Sequence, residues 1–335
     1  MSDAPRAVRI EEPGVLRLVP TDPTPPGPGE ALVEVAYSGI CGSDREVFTG
    51  GRPEGFVRYP VVPGHEWSGR VAAVGTGVDE GLFGRLVVGE GFRSCGVCPR
   101  CRRGDTNLCA AEYDETGFTS PGAWADWLTL PARLLHVLPD HADPRGAAAL
   151  EPAACAAAAT LKLAPVPGER VAVVGGGSLG LLTTQLIAAS SPGELTMVEP
   201  NERRAELAES CGASRVCSPE RARGELGGYD AVVEAAGVPG TAELATALAR
   251  PAGRVVLTGV AAQDSVPLDP ARLVLSQLTV HTVFGAPSHA WVHAVSSFTS
   301  GALDPGVIVT EEFGLEEAER ALRSLERNVK TLLRP

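Results

Sequence analysis

Four of the chain's eight cysteines fall within the fifteen residues "CGVCPRCRRGDTNLC", Cys95 to Cys109. Cys95, Cys98, Cys101 and Cys109 read C-x2-C-x2-C-x7-C. Tetrahedral zinc takes four thiolates at about 2.3 Å, and C-x2-C turns bring two sulfurs to one ion. A ferredoxin-type iron–sulfur cluster shares the first spacings but closes with C-x3-C-P, whereas Cys109 is more distant and is followed by Ala110. Zinc is the favoured reading and the cluster the alternative. Four unrelated core cysteines do not suit so polar a segment, with Arg100, Arg102, Arg103, Gly104, Asp105 and Asn107 among them. A closed four-thiolate site does no chemistry on a substrate; it holds a lobe together.

A second set of residues suits an open metal site. "GICGSD" supplies Cys41, Ser43 and Asp44, "PGHEWSG" supplies His65 and Glu66, and "ALEPAAC" supplies Glu151. One thiolate, one imidazole and a carboxylate leave a zinc position free for water or substrate. Singly, each has an ordinary explanation: Cys41 as a small buried side chain, His65 as a satisfied core histidine, Glu66 and Glu151 as surface acids. All sit beside Gly or Pro, where irregular backbone can aim a ligand.

Gly175, Gly177 and Gly180 form G-x-G-x-x-G around Ser178 and Leu179, after the apolar run "RVAVV" and before a helical pattern. Such a turn lets a pyrophosphate approach the backbone at a helix N-terminus. Glu199 ends the next apolar run, where an acid can accept hydrogen bonds from a ribose 2′-hydroxyl and repel a 2′-phosphate. This favours NAD(H), while Arg203 and Arg204 keep NADP(H) in play; solvated helix residues are the plainer reading of both arginines.

The elements that position these residues follow two textures. Up to about residue 150, short alternating runs such as "ALVEVAYSGI" and "RVAAVG" are punctuated by Gly and Pro, the signature of a β-rich domain. After residue 165, strand patterns ("RVAVV", "ELTMVEP", "YDAVVEAAG", "GRVVLTG", "LTVHTVFG") alternate with helix patterns ("NERRAELAESCG", "TAELATALAR"). Alternation of that kind argues for a parallel, doubly wound sheet. A chain of 335 residues with 44% hydrophobic and 21% charged residues buries two cores comfortably. A net charge of −12 disfavours nucleic acid and anionic membranes as partners. No leader or membrane span is read, and the expected compartment is the cytoplasm, where thiols stay reduced and a disulfide knot is not expected.

The motifs "CGSD", "PGHEWSG", the four-cysteine loop, "EPAAC" and "VVGGGSLG", in this order, resemble those of the zinc-containing medium-chain dehydrogenases, within them the polyol and threonine dehydrogenase branch. The resemblance implies an α/β protein with a GroES-like β-barrel catalytic domain (1–155, its structural-zinc lobe at about 90–112) and a Rossmann domain (156–286). A final segment (287–335) would return to the catalytic domain. It implies catalytic zinc on Cys41, His65 and Glu151 or Glu66, and structural zinc on the four loop cysteines. Ser43 would be the proton-relay hydroxyl and Asp44 the group orienting His65. Many relatives carry a histidine two or three residues after that aspartate; here stand Glu46 and Val47, so either Glu46 or water ends the relay. The implied activity is NAD-dependent oxidation of a secondary alcohol of polyol, cyclitol or amino-alcohol type, by a homodimer or homotetramer assembling through the sixth Rossmann strand. "PGHEWSG" is also similar to dehydrogenases acting on an aminocyclitol hydroxyl. A catalytically silent relative, or a reductase working towards the alcohol, are the alternatives. Cys155, Cys211 and Cys217 read as ordinary helix and strand residues. His136, His141, His281, His289 and His293 lack ligand-like spacing, and Trp67 and Phe118 suit either a pocket wall or the core.

Overall fold

The structure, a computed structural model, describes residues 4–260, 268–325 and 327–335; the first three residues of the expected catalytic domain lie outside them. The chain forms two compact units, 1–151 with 287–295 and 309–335, and 152–286 with 296–308. The expected return of residues 287–335 as one piece differs from this: 296–308 packs with the second unit, because the helix Ser288–Thr299 belongs to both.

The first unit is built on the strand Glu30–Ile40, whose alternating sequence buries Ala31, Val33 and Val35 and turns Glu34 outward. It pairs antiparallel with Trp67–Val74, with Trp127–Pro131 and with the C-terminal strand Lys330–Arg334. The sheet runs from Val309–Gly314 through Lys330–Arg334, Glu30–Ile40, Trp67–Val74 and Leu86–Gly89 to Leu135–Val137. One core gathers Val33, Val71, Val87, Leu128 and Leu130 around Trp67. Another joins Val8, Ile40 and Trp124 to Leu322 and Leu333 of the C-terminal segment. Trp67 therefore belongs to the core.

The second unit holds a six-stranded sheet of Arg170–Val174, Glu194–Val198, Arg215–Cys217, Tyr229–Glu234, Ala249–Leu257 and Thr279–Thr282. Numbered in chain order its strands lie 3-2-1-4-5-6, all parallel, the doubly wound arrangement with a switch point beside the first strand. Arg215–Cys217 has no counterpart in the sequence patterns, since three residues with a single apolar β-branched side chain carry no readable period. Among the described residues, no helix is long and apolar enough to cross a membrane.

Candidate active site

Cys41 ends the strand Glu30–Ile40 and caps the helix Gly42–Thr49. Its backbone N–H donates to Asp44 Oδ2 at 2.8 Å, so Asp44 closes the turn that aims the thiol. The other carboxylate oxygen, Oδ1, lies 3.6 Å from His65 Nδ1, beyond a hydrogen bond, and both atoms are buried without a partner. The Cys41 sulfur, a ring nitrogen of His65 and a carboxylate oxygen of Glu66 all lie within 4.8 Å of one another. Burial disfavours a charged imidazole, but Asp44, then Cys41 and Glu151, outweigh it and hold the His65 pKa well above the usual histidine value. A metal held here would need the imidazole neutral. Glu151 stands in the first turn of the helix Leu150–Leu163, near enough to act on the charges of His65 and Lys330.

Lys330, one of only two lysines in the chain, is a site residue that sequence reasoning missed. Its Nζ donates to both Glu66 oxygens, at 2.8 and 2.6 Å, and to Ile40 O at 3.3 Å. The two side chains are 3% and 0% exposed. Pairing of Thr331 with Ile40 delivers the lysine. Gly39 makes room for the pair, since a Cβ there would sit 2.1 Å from Glu66 Oε2. The only signal available was scarcity: a lysine among so many arginines.

Ser43 is half-buried in the first turn of the helix Gly42–Thr49. Glu46 is 53% exposed and 3.8 Å from Arg52. Phe118 is buried, its ring centroid 4.8 Å from that of His65.

The four loop cysteines also converge, their sulfurs within 4.8 Å. Backbone N–H groups of Cys98, Cys101 and Ala110 point at Cys95 and Cys98 sulfurs at 3.3–3.5 Å. The Ala110 and Cys101 amides draw the Cys98 thiol down to about 6, whereas burial, with the neighbouring thiols, pushes Cys101 up to about 11. Such a donor set suits a tetrahedral thiophilic ion. Cys211 and Cys217 are buried elsewhere. His136 contacts Glu90 at 3.2 Å and stacks on Trp291, outside both clusters.

In the second unit Gly175 has φ +103°, and a Cβ there would lie 2.7 Å from Ala236. A Cβ on Gly180 would lie 1.8 Å from Gly175 O, whereas one on Gly177, which caps the helix Ser178–Ala188, meets nothing. The turn is thus closed on the protein side and open where a phosphate would come. Glu199 is buried beside it, accepting from Gly176 N at 2.6 Å and Asn201 N at 2.8 Å. Arg204 is half-buried against the same turn; Arg203 is exposed. Glu234, unremarked in the sequence, accepts from the amides of Ala236, Gly237 and Gly259 and from Thr241 Oγ1, fixing the loops that follow the fourth and fifth strands.

Residues 27–140 match the alcohol dehydrogenase GroES-like domain and residues 178–300 the zinc-binding dehydrogenase domain. The L-threonine 3-dehydrogenase of Streptomyces avermitilis is 31% identical, covering 88% of this chain and 88% of its own. The chain belongs to the zinc-containing medium-chain dehydrogenases. It is a zinc-dependent, NAD(P)-linked alcohol dehydrogenase. The sorbitol dehydrogenase of Bacillus subtilis is 28% identical over 91% of this chain and 90% of its own. A zinc-binding dehydrogenase from Sinorhizobium meliloti 1021, solved bound to NADP, superposes with a TM-score of 0.93 at 30% identity, covering 100% of both chains.

Proposed function

We propose that this dehydrogenase oxidises a secondary alcohol carrying further polar groups, of polyol, cyclitol or amino-alcohol type, and passes hydride to NAD in preference to NADP. The observation that carries the reading is the convergence of Cys41, His65 and Glu66, with Glu66 neutralised by a buried lysine. Cys41 and His65 are the fixed ligands of a catalytic zinc, and the carboxylate ligand comes from Glu66 or Glu151. Both Glu66 oxygens are engaged by Lys330, so ligation by Glu66 would require that pair to loosen, and Glu151 is the alternative. When bound, zinc supplies Lewis acidity that lowers the pKa of a hydroxyl at the open position. Ser43 Oγ would accept a hydrogen bond from that hydroxyl and relay its proton, handing its own hydroxyl proton outward in the same step. Asp44 holds the turn of Cys41 and faces His65 Nδ1, keeping the ring's other nitrogen for the metal. With Glu46 exposed beside Arg52, the proton leaves to water. The four loop cysteines hold a second, structural zinc, and reduced thiols of this kind suit the cytoplasm.

Gly175, Gly177, Ser178, Leu179 and Gly180 cradle the pyrophosphate, Glu199 accepts from the adenosine ribose, and Arg204 flanks it. Assembly into a dimer or tetramer uses the sheet edge at Thr279–Thr282, beside the exposed Val274 and Leu275. Zinc-replete protein should reduce NAD with at least one of a panel of polyols, threonine, simple alcohols and aminocyclitols; silence in both reaction directions with both metal sites filled would overturn the reading. Glu199→Ala should erode the NAD over NADP ratio, and an unmoved ratio removes Glu199 from that role.

A further inference from the structure

Among the expected ligands, His65 has a buried Nδ1 without a hydrogen-bond partner, and the facing Asp44 Oδ1, 3.6 Å away, has none either. The tilt of the imidazole therefore depends on what packs against it. Phe118 does so; it is 1% exposed, and its ring centroid lies 4.8 Å from that of His65 at an interplanar angle of 38°. The loop that carries Phe118 is fitted to the chain leading into His65. Gly122 N donates to Val62 O and Ala123 N to Gly64 O, each at 2.8 Å. Gly117 has φ +85°, and a Cβ there would lie 3.0 Å from His65 N, so the turn before Phe118 touches the backbone of the ligand itself.

Arg52 in turn fixes where that ring lies. Its guanidinium sits over Phe118, 3.8 Å from the centroid, and its side chain is 12% exposed. Nε donates to Phe56 O at 3.2 Å, and Nη2 donates to Tyr113 OH at 3.0 Å and to Glu115 Oε2 at 3.5 Å. The Tyr113 hydroxyl donates to the same Glu115 oxygen, and Arg52 Nη1 lies 3.8 Å from Glu46 Oε2. A planar guanidinium over an aromatic face is held by charge and by stacking together. Tethers to a carbonyl, a phenol and a carboxylate leave this one little room to turn, so the ring against it is pinned. In a close-packed interior a pinned ring leaves its neighbour few orientations. The lone pair of an imidazole is directional, and a ligand set tolerates a misalignment of only about 10–20°.

We propose that Arg52 is a positioning residue for the catalytic metal ligand: by pinning Phe118 it sets the tilt at which His65 presents its ring to the ion. Asp44 selects which imidazole nitrogen is left for the metal, and the Arg52–Phe118 stack selects where that nitrogen points. This rests on the reading of Cys41 and His65 as ligands of the catalytic zinc.

The test is titration of the metal-free protein with cobalt(II), whose visible absorption bands follow ligand type and geometry. Wild type, Arg52→Met, Phe118→Leu and the double variant are compared, and the bands of the four-cysteine site serve as the internal reference. Phe118→Leu should shift the bands of the site at Cys41 and His65 and weaken its metal binding about tenfold, the scale on which groups behind a ligand act. Arg52→Met should shift the same bands in the same direction and weaken binding by a smaller factor. The double variant should be no worse than Phe118→Leu, because Arg52 acts only through the ring. Unmoved bands and affinity in Arg52→Met would overturn the proposal. So would losses that simply multiply in the double variant, or bands that move equally at the four-cysteine site, since either describes a general loosening. A wild type that takes up one cobalt per chain, at the four cysteines, would overturn the catalytic-site reading together with the proposal; two ions with unmoved variants remove the role of Arg52 alone.

Discussion

At the scale of single residues, the buried Glu66–Lys330 pair has the most to lose. Both side chains have left water, and the attraction offsets that cost only while both are present. Lys330→Met leaves Glu66 charged and unpaired, and should cost about 3–5 kcal/mol, read from the denaturant midpoint. The double change with Glu66→Gln should recover part of the loss; a single variant as stable as the wild type would mean that water reaches the carboxylate. Glu115 makes the opposite prediction. Its pKa rises from the ordinary 4.5 to about 7 on folding, chiefly through burial. A carboxyl whose folded pKa is raised lends full stability below its unfolded value, and loses it as pH climbs through the folded one. Glu115→Gln should therefore melt like the wild type near pH 4.5 but be more stable at pH 8, by on the order of 2–3 kcal/mol at matched metal content. Identical pH profiles would show that the carboxylate is solvated. Neither Lys330 nor Glu115 announced itself in the sequence, because each acquires its role from partners brought by folding; Lys330 and Glu66 are 264 residues apart.

At the scale of elements, the glycine turn after Arg170–Val174 divides its labour in a way that two substitutions can separate. Gly180→Ala drives a methyl to 1.8 Å from Gly175 O, so the helix Ser178–Ala188 cannot keep its seat on the strand. It should lower the melting temperature as well as cofactor affinity. Gly177→Ala meets no protein atom, and should leave stability within about 1 kcal/mol while weakening NADH binding, measured by nicotinamide fluorescence. Equal losses of affinity and stability in both variants would refute a phosphate-facing role for Gly177. The G-x-G-x-x-G spacing displayed this element openly, since the steric needs of a strand–turn–helix are local. The neighbouring Glu234 escaped notice because its partners, Gly237, Thr241 and Gly259, come from two successive loops.

At the scale of the whole molecule, the four-cysteine lobe is fastened to a helix far along the chain. Thr106 Oγ1 accepts from Ser288 N at 2.9 Å, and Ser288 Oγ donates to the buried Glu90 at 2.8 Å. If the four cysteines hold the zinc proposed for them, chelating it should raise amide exchange not only across residues 95–109 but also at the start of the helix Ser288–Thr299. Thr106→Ala should reproduce the second effect alone. Confinement of the change to the lobe would show that the fastening carries no stability. The sequence by itself determined what depends on local spacing: four thiols that turn back on one another, a glycine turn between strand and helix, and ligand-type residues set beside Gly and Pro. It also determined the order of a β-rich part and an alternating α/β part, because side-chain period reads directly as element type. Only the tertiary structure decided which further charges face one another: Lys330 on Glu66, and Arg52 and Tyr113 on Glu115. Those pairings are set by strand register and burial, which join residues that have no relation along the chain, and burial is what turns an ordinary lysine or glutamate into a group whose charge must be answered.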